Sequence, residues 1–280
     1  MTFRTQFSIV FALAASAMFT VAQAAIPTAE RNALLALNAS TNGASWGDST
    51  GWNGPVGTEC SWFGVTCDVG SSHVTGINLP NQNLTGVLSS LSSFTNLDVF
   101  VVYLNQLSGP IPALTGLTNL GAFDVDSNQL TGSIPVLTGL TNLGYFYAYN
   151  NQLTGSIPDL TGLSNLAAFD VNSNQMTGSI PDLTGLSNLR FLAVYSNQLT
   201  GPIPDLSGLT SLQNFLVGAN HLSGALPAPP SGLLAAQSTL SPNDFPASSY
   251  VNNLTWDAAT GVTPWYTPCD SIFANGFEGP

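Results

Sequence analysis

Residues 189–199 read LRFLAVYSNQL, with apolar side chains at Leu189, Leu192, Val194 and Leu199 and an amide at Asn197. Residues two apart point to the same side of a strand, so Leu192 and Val194 face a core while Phe191, Ala193 and Tyr195 face the other way. The same eleven-residue pattern starts at Val74, Leu97, Leu120, Leu143, Leu166 and Leu212, and a worn copy from Ala235 keeps Leu240, Asn243 and Phe245. A second signature, Leu-Thr/Ser-Gly and once Met-Thr-Gly, begins at Leu84, Leu107, Leu130, Leu153, Met176, Leu199 and Leu222, always 23 residues apart. So strict a period marks a solenoid, in which each coil is too small to fold alone and buries its apolar side chains against its neighbours.

The asparagines at 105, 128, 151, 174, 197, 220 and 243 fall at one place in every coil, so they stack. Their amides can satisfy backbone groups left unpaired where the chain turns out of each strand. Gln82 stands at that place in the first coil, and a weaker junction is expected there.

The chain has 280 residues, of which only 6% are charged. Lysine is absent, and Asn, Ser, Thr and Gly form the polar surface. Residues 1–24 read as a secretory signal peptide: Arg4 in a basic start, an apolar run from Phe7 to Val21 too short to span a bilayer, and the small-x-small site Ala22-Gln23-Ala24. The expected location is therefore outside the cell or on its surface, after cleavage behind Ala24, and no further run is long enough for a membrane span. Without that segment, Arg31 and Arg190 stand against 15 carboxylates, which argues against nucleic acid or an anionic membrane as a partner.

The segment 176–189, MTGSIPDLTGLSNL, resembles the plant-type leucine-rich repeat with its L-T-G-x-I-P signature. Upstream, ERNALLAL at 30–37, Trp46, Trp52 and CSWFGVTC at 60–67 look like the N-terminal cap of plant receptor ectodomains and polygalacturonase-inhibiting proteins. The resemblance covers about residues 30 to 245. It implies an α/β-type right-handed solenoid with a curved parallel sheet on its concave side, a second short strand around each L-T-G, short 3-10 or irregular convex segments and a helical N-terminal cap. It also implies a disulfide between Cys60 and Cys67 and a ligand-binding role. The period is one residue shorter than is usual in the plant proteins. The ending CDSIFANGFEGP looks like the C-terminal tails of secreted bacterial proteins, so a secreted bacterial relative is expected. The expected organisation is a signal peptide at 1–24, an N-terminal cap at 25–73, repeats at 74–227, a degenerate last repeat and C-terminal cap at 228–250, and a tail at 251–280. Trp256, Trp265 and Tyr266 are apolar enough to pack on the end of the solenoid, and Cys269 has no evident partner.

The outward positions of successive strands form the candidate site. They alternate between aromatic and acidic coils: Tyr103; Asp124 and Asp126; Tyr145, Tyr147 and Tyr149; Asp170 and Asn172; Phe191 and Tyr195. Strands lie about 4.8 Å apart, so the patch from Tyr103 to Tyr195 spans roughly 19 Å. A strand needs only its inward residues to fold, whereas tyrosine is a stiff recognition residue with a polar tip. The expectation is a non-catalytic protein that binds a protein, a peptide or a carbohydrate on this face; a structural or adhesive cell-surface role is the alternative.

Other motifs weigh little. GASWG at 43–47 fits G-x-S-x-G but lies in the cap with no apolar strand before it. DVDSN at 124–128 opens like a calcium loop, yet Gln129 and Pro135 stand where its glycine and closing glutamate belong. Asp124 and Asp126 are expected about 7 Å apart on an open face, with no burial to raise their pKa values and prepare an acid. Asp159, Asp182 and Asp205, one per coil after Ile-Pro, read as turn formers. No cofactor or metal centre is expected.

Overall fold

A computed structural model describes residues 25–234, 237–245 and 253–261. The signal segment, Trp265, Tyr266 and Cys269 lie outside these residues. The expected solenoid is present. Its main sheet has eight strands in chain order: Val65–Cys67 runs antiparallel to Val74–Asn78, and Val99–Val101, Ala122–Asp124, Tyr145–Tyr147, Ala168–Asp170, Phe191–Ala193 and Asn214–Leu216 follow in parallel. The second set of strands falls on the L-T-G segments: Thr85–Val87, Gln106–Pro110, Gln129–Gly132 and Gln152–Leu153, then the pair Thr200–Gly201 and His221–Leu222. Backbone bonds Gln175 N to Leu153 O and Gln198 N to Met176 O, both 2.8 Å, carry this ladder across the gap. No helix occurs in the repeats: the convex segments are turns, such as Leu117 N to Leu114 O at 3.1 Å and Leu120 N to Leu117 O at 2.9 Å.

The core is a set of columns. Phe100, Phe123, Phe146 and Phe169 occupy the fourth place of successive coils and stack with ring centroids 5.5, 5.5 and 5.3 Å apart. Phe215 continues this position two coils on, and 6.1 Å beyond it lies Trp256 of the helix Asn253–Thr260. Trp256 is fully buried and its indole N–H donates to Pro227 O at 2.9 Å, so a polar handle fixes the ring that covers the last coil.

The other end is closed by the cap. Helix Thr28–Ser40 buries Ala33, Leu34 and Leu37, at helical spacing, against the first coil. Trp46, Trp52 and Trp62 pack in sequence with centroids 4.8 and 5.2 Å apart. Two buried glutamates are satisfied by named partners. Glu30 accepts from Val74 N at 2.7 Å and lies 2.7 Å from His73 Nδ1, and Glu59 pairs with Arg31, whose guanidinium sits 5.4 Å from the centre of the Trp62 ring. The Cys60–Cys67 disulfide ties the short helix Glu59–Ser61 to the strand Val65–Cys67 that covers the sheet edge.

The asparagine ladder is complete from Asn105 to Asn243. Asn128 is representative: its Oδ1 accepts from Leu107 N in the preceding coil at 2.9 Å, and its Nδ2 donates to Val102 O, also one coil back, and to Val125 O and Asp126 O at the turn. Each side chain thus clips its own turn to the coil before it, and four buried backbone groups that water cannot reach are paired. Gln82 departs from the column: its Oε1 accepts from Asp48 N at 2.8 Å and joins the cap, while its Nε2 donates to Pro80 O at 3.0 Å in its own turn. A second series had not been read from the sequence: Asn119, Asn142, Asn165 and Asn188 each donate to a carbonyl 24 residues earlier on the outer surface.

The residue before each ladder asparagine from Asn105 to Asn220 is left-handed, with φ between 51° and 54° at Leu104, Ser127, Asn150, Ser173, Ser196 and Ala219. Asn and Ser tolerate this region, whereas Leu104 is a poor fit and its side chain is 54% exposed. Leu104→Asn is expected to raise stability by about 1 kcal/mol, measured by urea unfolding. Asn128→Ala, which orphans groups in two coils, is expected to lower it by about 3 kcal/mol or more in the same assay.

Candidate functional site

The inner face of the main sheet is set by register. Across it, Val101, Asp124, Tyr147, Asp170, Ala193 and Leu216 lie directly opposite one another on successive strands. The row before it places Tyr145 between Ala122 and Ala168. Beyond the strand ends, Ser127 N to Tyr149 O and Asn150 N to Asn172 O, both 3.0 Å, hold the turns in the same order, with Tyr149 between Asp126 and Asn172. Every tyrosine of the central coil therefore stands between small or acid and amide residues of its neighbours, and the side chains that follow in space are 23 positions apart in the chain.

The exposure of this face differs from the expectation of simple alternation. Tyr145 is 49% exposed, while Tyr103, Tyr147, Tyr149, Phe191 and Tyr195 are half-buried and Asp124 is partly covered. Asp126 and Asp170 are only 4% and 6% exposed, and Asn172, Ala168 and Ala193 are buried with them. Two physical causes act. The strands are only three residues long, so position 126 lies in the left-handed turn around Ser127 rather than on a flat strand. On a concave surface, large rings on one strand also overhang short residues on the next.

Asp124 and Asp126 do not stand about 7 Å apart. The turn brings the two carboxyls into hydrogen-bonding contact, and Asp126 N–H donates to Asp124 Oδ1 at 3.2 Å. Burial raises the Asp124 pKa to about 8, helped by the hydrogen bond to Asp126 and its charge, with a smaller contribution from Asp170. Burial likewise raises Asp170 to about 7, against the pull of the Asn172 backbone N–H and side-chain amide, which donate to its Oδ1 at 3.0 and 2.6 Å. The expectation that this face offers no burial to shift a carboxyl is thus corrected. The phenols respond to the same surroundings. Tyr147 is pushed up to about 12 by burial and by the charges of Asp124 and Asp170, Tyr195 to about 12 by burial and Asp170, and Tyr149 upward by burial and Asp126. At neutral pH the face presents protonated phenols as donors beside carboxyls, and Tyr145 and Tyr147 form a ring pair 6.3 Å apart tilted by 34°.

The remaining motifs are accounted for structurally. Ser45 of GASWG accepts from Asn42 Nδ2 at 3.0 Å, while His73 and His221 pair with Glu30 and Asp244. Asn128 of DVDSN belongs to the ladder. Asp159, Asp182 and Asp205 each accept the backbone N–H two residues on at 2.9 Å, and their hydrogen bonds to Thr161, Thr184 and Ser207 hold these carboxyls below the usual range. Among the described residues no three His, Cys, Asp or Glu side chains converge to hold a metal ion, and no helix is long and apolar enough to cross a membrane.

Residues 27–68 match the leucine rich repeat N-terminal domain. Solved structures match the repeats as well. The ectodomain of the receptor kinase GASSHO1/SCHENGEN3 from Arabidopsis thaliana, crystallised with CASPARIAN STRIP INTEGRITY FACTOR 2, superposes with a TM-score of 0.68 at 33% identity over 77% of this chain and 27% of that one. The plant peptide hormone receptor RGFR1 in complex with RGF2 gives 0.54 at 36% identity, over 60% of this chain and 28% of the receptor. The Arabidopsis receptor kinase HAESA, in complex with the peptide hormone IDA and the co-receptor SERK1, gives 0.56 at 27% identity, over 78% and 42%. The chain thus spans less than half the length of each of these three. Cap, period and superposition agree: the fold is a leucine-rich-repeat solenoid with a plant-type N-terminal cap.

Proposed function

We propose that this is a non-catalytic binding protein, acting outside the cell or at its surface, which captures a protein or peptide on the inner face of the main sheet. The observation that carries this reading is the register of Tyr145, Tyr147 and Tyr149 with Asp124, Asp126, Asp170 and Asn172 across three consecutive coils. Core packing does not explain it, because Phe146 and Ala148 already fill the interior from the same strand. Half-covered tyrosines with protonated hydroxyls supply rigid apolar area and directed donors at small entropic cost. Tyr103, Phe191 and Tyr195 extend the surface to either side. The structural neighbours add support, since RGFR1 is a peptide hormone receptor and HAESA was crystallised with the peptide hormone IDA.

Burying the carboxyls is costly to the fold, and their retention on this surface is itself an argument for a binding role. The cost predicts a pH dependence. A carboxyl whose folded pKa is raised holds its proton more firmly in the folded state than in the unfolded one. Stability therefore falls as pH rises from about 4 towards 8 for Asp124 and towards 7 for Asp170, by up to about 1.4 kcal/mol per pH unit for each group. The depressed turn aspartates act only below about pH 4. Urea unfolding between about pH 5 and 8 should show the loss, and the combined Asp124→Asn and Asp170→Asn variant should flatten the profile and be the more stable protein at pH 8.

The binding reading is tested by an unbiased interaction screen with wild type and with Tyr145→Ala/Tyr147→Ala/Tyr149→Ala. These side chains lie outside the core, so the variant should melt within a few degrees of wild type and lose the partner by at least about tenfold, as expected of interface aromatics. Equal retention of every partner by a folded variant would refute the assignment.

A further inference from the structure

Three carboxyls on the inner face have no cation among the described residues. Arg31 is committed to Glu59 and Trp62 in the cap, His73 and His221 contact Glu30 and Asp244, and Arg190 is exposed just before the strand Phe191–Ala193 and does not figure among the charges that shift Asp124 or Asp170. Asp124 and Asp170 stand on either side of Tyr147 in the same row, one strand away in each direction, or about 10 Å apart across the ring. Asp126 lies one turn beyond, against Tyr149 and Asp124. The groups facing Asp124 and Asp170 from the adjoining coils are Tyr103 from the coil before, Asp126 beside Asp124, Tyr145, Tyr147 and Tyr149 between them, and Tyr195 from the coil after. None of them is cationic.

From this charge complementarity we infer that the occupant of the inner face is an extended basic peptide, whose lysine or arginine side chain enters between Asp124 and Asp170 and lies over the Tyr147 ring. The inference rests on the reading of this face as a peptide-binding surface and names what that surface selects.

Several features favour this occupant over a neutral or acidic one. An ammonium or guanidinium group donates charge-assisted hydrogen bonds to a neighbouring carboxylate and is drawn to the face of a phenol ring. A partly water-excluded site strengthens both attractions. An acidic peptide or phosphate would meet three carboxyls and a chain of net charge −12, which repels it at long range and steers a basic partner inward. The spacing suits an extended chain, because rows along the strand direction bring Tyr145, Tyr147 and Tyr149 against alternate residues of a peptide lying over the sheet. The protonation state gives a second signature. Burial keeps protons on Asp124 and Asp170 to about pH 8 and 7, so an arriving cation displaces them. Its affinity then rises with pH, by up to about tenfold per unit for each proton released.

The test begins with a random-peptide display selection on immobilised mature protein at pH 8. A selected peptide is then titrated calorimetrically against wild type, Asp124→Asn/Asp170→Asn and Tyr145→Ala/Tyr147→Ala/Tyr149→Ala. The expected result is enrichment of lysine or arginine at one position and at least about tenfold weaker binding when that residue becomes glutamine. The Asp variant should lose the same factor without further loss from the glutamine peptide, and wild-type affinity should fall by at least about tenfold from pH 8 to 6. Peptides without a basic residue that bind wild type and the Asp variant alike, but fail on the Tyr variant, would overturn the cation site and leave the binding face standing. Peptides indifferent to the Tyr variant, or none enriched at all, would overturn both.

Discussion

The structure depends on the side-chain amide that each coil lends to the one before it. A chain that turns every 23 residues exposes backbone groups at every corner, and a solenoid interior offers them no water. Asn105 through Asn243 meet this need with an amide oxygen that accepts from, and an amide nitrogen that donates to, the preceding coil, the nitrogen also reaching carbonyls of its own turn. Register follows, because a coil displaced by one residue would lose every clip at once. The phenylalanine column then packs rings at about 5.5 Å, compatible with strands about 4.8 Å apart.

Register is what turns a repetitive fold into a specific surface. No strand of the inner face has more than three outward residues of interest, and none would bind anything alone. Held in line, the strand of Tyr145 and Tyr147 finds Ala122 and Asp124 on one side and Ala168 and Asp170 on the other. The stability supplied by the interior columns is enough to hold buried carboxyls in a row where fold energy alone would favour alanine or valine.

Much of this was legible in the sequence. The period, the inward leucines and the asparagine column follow from spacing and from residue type, the cap from its resemblance to plant receptor ectodomains, and Trp256 was recognisable as an end-packing residue by its apolar character in a polar segment. What the sequence did not reveal is how deep the inner face lies. Alternation places Asp126 and Asp170 on the exposed side, yet both are buried: strands of three residues end before position 126, Asp126 meets the Tyr149 hydroxyl, and Asp170 is bonded by Asn172. The second asparagine series was visible as Asn119, Asn142, Asn165 and Asn188 in each S/T-N-L tripeptide, but its hydrogen bonds run between exposed turns, for which residue patterns give no reason.

The first coil breaks the pattern at Gln82, whose longer side chain keeps a bond to its own turn at Pro80 O but turns its oxygen to Asp48 of the cap, where the asparagines reach the preceding coil. That single exchange makes the array directional: internal coils are alike at their junctions, whereas the junction with the cap is not. Gene-level gain or loss of a 23-residue unit would therefore leave the ends untouched while moving Asp124 and Asp170 apart or together. Within one architecture, the width of the inner trough is an inheritable quantity that changes in whole steps of one coil.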